Sequence, residues 1–276
     1  MKQLVKKSLL VALIGATSIL AACNSEDKTA DSHDLKKIRI GTTVGDFADM
    51  VTDSVKPQLE KKGYEVELVV FTDYVLPNRA LADGSLEINT FQHLPYLNSF
   101  KTLNNLDLTE VFQIPTGPLG IYSGKKNSLE NLPKGSKFAV ANDPSNFSRT
   151  LMLLQDAGLI TLKNGIDPLK ATKADIAENP YAIELVQLEA PQLPRVREDV
   201  DFVVIPGNYA ASSKIPFSEA LFTDPGFIFI NWAAVKTQDV DAPWLKDVTE
   251  AYNSDEFKAY AKERFAGYKY PDAWGK

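Results

Sequence analysis

From residue 37 onward the chain alternates short strand-like runs with helical ones, and that alternation admits few architectures. Lys37 to Thr43 (K-I-R-I-G-T-T) alternates as a half-buried strand does, and a helical pattern follows from Asp46 to Lys62. Gly63 stops that helix, and Glu65 to Thr72 (E-V-E-L-V-V-F-T) is the next strand. Further strands are expected at Leu86 to Thr90, Leu108 to Ile114, Leu119 to Ser123, Phe138 to Ala141, Ile183 to Leu188 and Phe202 to Ile205. Helical patterns fall between most of them, Ser145 to Ala157 included. The order predicts an α/β fold with mostly parallel sheets. Two helices close the chain, Ala242 to Tyr252 and Asp255 to Phe265, the second capped at Asn253-Ser254. The Tyr- and Trp-rich tail Gly267 to Lys276 is expected to strap the first lobe.

Pro115-Thr116-Gly117-Pro118 and Asp224-Pro225-Gly226 interrupt the alternation. Read as domain crossings, they divide the body into a discontinuous first lobe, 37–116 with 226–276, and a second lobe, 117–225. A chain that leaves one lobe and returns builds a double hinge, and ligands favour the cleft between such lobes. The alternative is two surface loops within one domain.

The first 36 residues follow other rules. Lys2, Lys6 and Lys7 precede a short apolar run, Ser8 to Leu20, which ends in small residues. The run is too short to span a bilayer and has the layout of a secretory signal peptide covering 1–22. Cys23 is the only cysteine and would become the first residue after cleavage. Leu20-Ala21-Ala22-Cys23 resembles the bacterial lipoprotein box, so Cys23 is the expected site of acylation, with palmitate among the chains. The alternative is an ordinary signal cleaved near Ala22 with an incidental cysteine. Residues 23–36, including the polar stretch Asn24 to Asp34 with a solvated His33, read as a lipidated tether. Loss of the three leader lysines moves the formal charge from −6 to −9. That balance argues against nucleic acid and leaves membrane attachment to the lipid. A cell-membrane location on the extracytoplasmic face follows, periplasmic if the cell has two membranes. With no second cysteine, stability must come from core packing, for which a 44% hydrophobic chain has the material.

The residues do not assemble a catalyst. G-x-S-x-G, phosphate-loop and G-x-G-x-x-G patterns are absent, and two distant histidines offer no zinc site. No cofactor, metal or catalytic residue is expected. What stands out is a set of aromatic and amide residues at strand ends, where open α/β sheets form their ligand crevice. Tyr74, Phe91 and Tyr96 suit an apolar wall, and aromatic rings contact a thioether well; singly, each is equally a core aromatic. Arg149, expected in the first turn of a helix, suits a carboxylate bound in bidentate fashion; its alternative is a surface arginine paired with Asp143 or Asp156. His93 between Phe91 and Tyr96 is either a ligand contact or a satisfied buried histidine. Asn208 and Asn231 can accept from an ammonium group, or serve as turn and strand-end asparagines. Together these parts suit a zwitterion with an apolar side chain.

Five motifs carry a family resemblance: F-T-D-Y-V-L-P-N at 71–78, N-T-F-Q-H-L-P-Y-L at 89–97, N-D-P-S-N-F-S-R at 142–149, L-M-L-L-Q-D-A-G-L-I at 151–160 and L-E-A-P-Q-L-P-R at 188–195. From about Ile38 to the last helix the chain resembles the methionine-binding lipoproteins, the substrate-binding components of methionine importers. The resemblance implies a two-lobed periplasmic-binding-protein fold with an interdomain ligand cleft. It implies a lipid-anchored protein that binds L-methionine and delivers it to an ABC permease with its ATPase. The family's pocket then falls on Tyr74, Phe91, His93, Tyr96, Arg149, Asn208 and Asn231. Where many relatives carry an asparagine two positions before Asn208, this chain has Pro206, which leaves Asn208 and Asn231 to meet the ammonium. The other readings are a methionine-containing dipeptide, D-methionine or a related amino acid as ligand, a surface lipoprotein with no transport role, and a two-lobed hydrolase.

Overall fold

The computed structural model describes residues 37–275. The signal peptide 1–22, Cys23 and the tether 23–36 lie outside the described residues. The strands are β1 (Lys37–Thr43), β2 (Glu65–Phe71), β3 (Ile88–His93), β4 (Leu108–Ile114), β5 (Gly120–Ser123), β6 (Lys137–Ala141), β7 (Thr161–Leu162), β8 (Ile176–Glu178), β9 (Glu184–Leu188), β10 (Phe202–Ile205), β11 (Ala220–Thr223) and β12 (Asn231–Lys236). The α-helices are α1 (Asp46–Met50), α2 (Lys56–Lys61), α3 (Leu76–Ala82), α4 (Leu94–Asn104), α5 (Pro144–Asp156), α6 (Gly207–Ser212), α7 (Pro243–Asn253) and α8 (Asp255–Arg264). A wide π-helical turn, Val51–Val55, joins α1 to α2, so the helix expected over 46–62 forms with a local change of pitch.

The strands form two five-stranded sheets, ordered β2-β1-β3-β12-β4 and β11-β5-β10-β6-β9, with a small β7-β8 ladder beside them. In the first sheet β1 pairs parallel with β2 from Lys37↔Glu65 to Thr43↔Phe71, and parallel with β3. Strand β12 then enters antiparallel between β3 and β4. In the second, β10-β6 and β6-β9 are parallel, while β5 runs antiparallel to both β10 and β11. Four of the five strands in each sheet therefore share one direction, as expected of mostly parallel sheets, and β12 and β5 are the antiparallel exceptions. The cause is connectivity, since β5 and β12 each follow a passage from one sheet to the other and enter against the direction of their neighbours.

Strands β11 and β12 escape the periodicity argument. Asn-Trp-Ala-Ala-Val-Lys of β12 is buried on both sides and has no polar face to alternate with. Each sheet has its own apolar core. Ile38, Ile40, Met50, Leu59, Trp244 and Phe257 belong to the first, and Phe138, Val140, Leu151, Leu154, Phe202 and Val204 to the second. The tail does strap the first core. Lys269 and Thr116 exchange both backbone hydrogen bonds, at 2.9 and 3.0 Å, and Trp274 Nε1 donates to Asn253 Oδ1 at 3.0 Å.

Gly41 in the middle of β1 marks the tightest packing against the first sheet. A Cβ there would lie 2.2 Å from Leu86 Cδ1, and Leu86 is 1% exposed. Gly41→Ala should destabilise the fold by about 1–3 kcal/mol through overpacking. Leu86→Ala alone should cost about 2–5 kcal/mol. In urea denaturation the double variant should cost less than the sum of the two, because the second substitution removes the clash of the first. Strict additivity would show that the two side chains do not meet.

Candidate ligand-binding site

The ends of β3, α5 and α6 converge on a small pocket with a free volume of about 30 Å³. All seven residues singled out from the sequence line it: Tyr74, Phe91, His93, Tyr96, Arg149, Asn208 and Asn231. Phe47, Gln92, Thr116, Gly117, Asn146, Pro206 and Gly207 complete the wall.

The aromatic side is built on the first sheet. Phe91 and Tyr96 belong to the first core, and Tyr74 packs on both, with ring centroids 6.0 and 5.9 Å away. The two readings of these rings are thus compatible, because one face packs the core and the other walls the cavity. Tyr96 Oη donates to the Tyr74 carbonyl at 2.6 Å, which fixes both rings. Beneath them Gln92, Asn78 and Asn89 close a buried amide network at 2.7–3.0 Å. With their own groups satisfied, they form a rigid floor.

His93 caps α4, its Nδ1 accepting from the Tyr96 N–H at 3.1 Å. The ring proton therefore sits on Nε2, which lies 3.1 Å from Asn146 Oδ1. Asn146 Nδ2 donates to Asp143, so its oxygen is the end that faces His93. His93 is a satisfied buried histidine that also lines the cavity.

Arg149 departs from expectation in two ways. Asp143 caps α5 and Pro144 is its first residue, which puts Arg149 sixth, in the second turn. The free N–H of Asn146 is taken by Asp143 Oδ1 at 2.9 Å, so anion affinity here rests on the guanidinium. Its protein partner is neither Asp143 nor Asp156. Arg149 Nε and Nη2 donate to Asp224 Oδ2 at 3.0 and 2.6 Å, and the Phe229 ring lies 4.8 Å from Cζ. Asp224 also faces Lys269, with Nζ 3.1 Å from Oδ1. Burial opposes the charge on Asp224, but Arg149 and Lys269 outweigh it and hold its carboxyl below the usual value. Sequence reasoning passed over Asp224 and Lys269 because their partners are distant in the chain, Arg149 lying 75 residues before Asp224 and Lys269 in the tail beyond it; the one local signal is that Asp224 opens the second crossing.

Asn208 and Asn231 differ in what they leave open. Tyr74 Oη donates to Asn208 Oδ1 at 2.7 Å, and Asn208 Nδ2 reaches Thr43 Oγ1 at 3.3 Å. Asn231 opens β12, where a strand end was expected. Its Nδ2 donates to the Phe91 carbonyl at 2.9 Å and its backbone N–H to Thr116 Oγ1 at 2.8 Å. Asn231 Oδ1 forms no hydrogen bond among the described residues and is the free acceptor of the pair.

Four polar contacts tie the second-sheet residues to the first: Tyr74–Asn208, Asn208–Thr43, His93–Asn146 and Tyr209 Oη to the Thr72 carbonyl at 3.0 Å. Gly45 lets the surfaces meet. Its φ is +94°, and a Cβ on it would lie 2.6 Å from the Asn208 carbonyl oxygen.

The NlpA lipoprotein profile matches residues 38–273, nearly the whole described chain. The chain belongs to the NlpA lipoprotein family. It is 39% identical over 260 residues to a D-methionine-binding lipoprotein MetQ of Salmonella typhi, covering 93% of each chain. A nutrient binding protein from Burkholderia cenocepacia, solved bound to methionine, is 41% identical with a TM-score of 0.79 over 83% of this chain and 97% of its own. A periplasmic substrate-binding protein of an ABC transporter from Coxiella burnetii is 38% identical with a TM-score of 0.77, over 82% and 96%. Like these members of the family, the chain has a two-lobed α/β fold with a cleft between the lobes.

The buried imidazole gives the site a pH signature. Burial first, then the nearby Arg149 charge, pulls the His93 pKa down to about 3. The unfolded chain, with a histidine pKa of about 6.5, binds a proton that the folded one refuses. Stability is therefore lost as pH falls from about 6.5 toward 3. Asp46, pushed up to about 7 by burial, works in the opposite sense between its unfolded value and 7. The effect is consequently read as a difference between wild type and His93→Gln. In urea denaturation between pH 6 and 4, wild type should lose stability relative to the variant by up to about 1.4 kcal/mol per pH unit. A difference independent of pH would mean that the ring is not held neutral.

Proposed function

We propose that this protein is the lipid-anchored substrate-binding component of an ABC importer, with L-methionine as its ligand. The observation that carries this reading is the polarity of one small cavity. A cationic group, Arg149, and a free acceptor, Asn231 Oδ1, line the same chamber as the rings of Tyr74, Phe91 and Tyr96. Such a chamber suits a carboxylate, an ammonium and an apolar chain in one molecule. The aromatic lining favours a thioether over a branched or charged side chain. The names of the relatives support methionine as the ligand class and import as the setting.

Tyr74, Phe91, His93, Tyr96, Arg149, Asn208 and Asn231 form the site, with different parts. Arg149 holds the carboxylate and Asn231 the ammonium, while the three aromatic rings enclose the side chain. Asn208 and His93 act mainly across the cleft, as bonds that form on closure. Lobe boundaries at 37–116 with 226–276, and 117–225, accord with β1–β4 and β12 sharing one sheet and β5, β6 and β9–β11 the other. Ligand contacts from both sides favour the closed form by as much as they bind it better than the open one. The closed protein then docks on the permease and its ATPase. The ligand is handed on unchanged. Cys23 carries the acyl anchor on the extracytoplasmic face.

Calorimetric titration of the unlipidated protein with L-methionine, D-methionine and glycyl-methionine tests the ligand. L-methionine should bind tightest. Binding of the dipeptide or the D-isomer about tenfold tighter, a margin of 1.4 kcal/mol, would reassign the ligand within the same role. Absence of binding to all three would leave a surface lipoprotein without a transport role. The anchor has a separate test, in which cells fed an alkyne fatty acid should label wild type and not Cys23→Ser. Equal labelling of both would end the lipoprotein reading.

A further inference from the structure

Three charges meet where the chain passes between the sheets, and their sum is not zero. Arg149 comes from α5, Asp224 follows β11 and opens the second crossing, and Lys269 comes from the tail. Arg149 and Asp224 side chains are 5% and 7% exposed, and that of Lys269 11%. Both oxygens of Asp224 are occupied. Oδ2 accepts from Arg149 Nε and Nη2, and Oδ1 accepts from the Leu119 N–H at 2.9 Å while facing Lys269 Nζ at 3.1 Å. Lys269 is also fixed by its backbone, which exchanges two hydrogen bonds with Thr116, a residue of the cavity wall. Its ammonium approaches Asp224 off hydrogen-bond alignment and leaves buried donors unfulfilled.

A carboxylate paired with Arg149 alone would cancel the guanidinium's charge and leave a neutral cluster beside the cavity. A buried ligand carboxylate would then meet hydrogen-bond donors without net attraction, and its desolvation would go uncompensated. With Lys269 present, two cations share one anion, and one positive charge remains for the ligand. We propose that Lys269 is a specificity-determining residue, which neutralises Asp224 so that the charge of Arg149 is available to a ligand carboxylate. Asp224 is then a positioning residue that holds the guanidinium by one edge; Nη1 forms no hydrogen bond among the described residues and is free for the ligand. This inference rests on the amino-acid reading of the cavity and assigns how its acid end is selected.

Charge arithmetic supplies a test that a structural role would fail. L-methionine and L-methioninamide differ only at the carboxylate, and the ratio of their affinities is measured by calorimetry. Wild type should prefer the acid. Lys269→Met, which leaves Arg149 and Asp224 to cancel, should lower that ratio by about tenfold or more. The double variant Asp224→Asn/Lys269→Met restores a net positive charge and should return the ratio to within about threefold of wild type. Asp143 at the α5 cap is common to all the proteins and drops out of the comparison. If Lys269→Met fails to fold by circular dichroism, the double variant decides alone, since an asparagine oxygen at 224 can still accept from Arg149. A ratio within about threefold of wild type supports the inference, and a tenfold loss overturns it. An unchanged ratio in a folded Lys269→Met, with both affinities lowered equally, overturns the inference and leaves the functional reading intact. A wild-type protein that binds neither compound overturns the functional reading, and the inference with it.

Discussion

Asp224 brings one negative charge between two buried positive ones, and much of the site is arranged around that carboxylate. It anchors Arg149 by two donors on one oxygen and the Leu119 N–H by the other. Its own backbone N–H donates to the Leu119 carbonyl at 3.0 Å, which ties the second crossing to the start of β5 just past the first. Lys269 adds the tail to the same point. Breaking any one of these contacts leaves a desolvated charge behind, which is costlier than never having buried the pair. The crossing segments are thereby held in register by electrostatics, in a chain whose single cysteine precludes an internal disulfide.

The cleft is closed by polar contacts of a different kind. Tyr74–Asn208, Tyr209–Thr72 and His93–Asn146 are neutral hydrogen bonds, each with a modest net contribution of about 1 kcal/mol, because open lobes would exchange them for water. A set of such bonds lets closure be reversible. The two largest apolar clusters lie one in each half, and Tyr74 and Phe217 pack against both the first and a smaller cluster of the second half. On the proposed reading, closure responds to a ligand whose contacts add a few kcal/mol of differential affinity. Gly45 belongs to this design, since its left-handed backbone and missing Cβ admit the Asn208 carbonyl.

Much of this was legible in the sequence where the signal is local. Strands β1, β4 and β10 fall where alternation or a short apolar run places them, and the helix over 144–156 follows its own periodicity. The seven cavity residues were legible because they cluster in loops after strands, where α/β sheets place ligands, and because five motifs carry a family resemblance. What escaped was long-range. The pairing of Arg149 with Asp224 spans 75 residues, and nothing near either end marks the other. Strand β12 lacks alternation because both its faces are buried, and it had to be inserted between β3 and β4 to be recognised. The antiparallel strands follow from passages between sheets, a property of topology that composition does not carry.

On the amino-acid reading of the cavity, few acceptors are left to meet the ligand's amino end. Pro206 offers neither a side-chain acceptor nor an N–H, and its carbonyl already accepts from the Tyr209 and Ala210 N–H groups at the start of α6. Gly207 beside it is pressed against Gly117, where a Cβ would meet backbone at 2.6 Å, so no bulkier residue fits at that position. Asn208 has committed its amide to Tyr74 and Thr43, which leaves one lone pair on Oδ1. The acceptor with no prior commitment is Asn231 Oδ1. Its geometry is set from both sides, by its own Nδ2 on the Phe91 carbonyl and its N–H on Thr116 Oγ1. On the proposed reading, recognition of the ammonium depends on the first position of β12, a strand from the far end of the chain. On the same reading the acid end depends on Arg149 of α5, in the other sheet's half of the molecule. An amino acid whose two charged ends must reach one residue in each half can satisfy both only when the halves are closed.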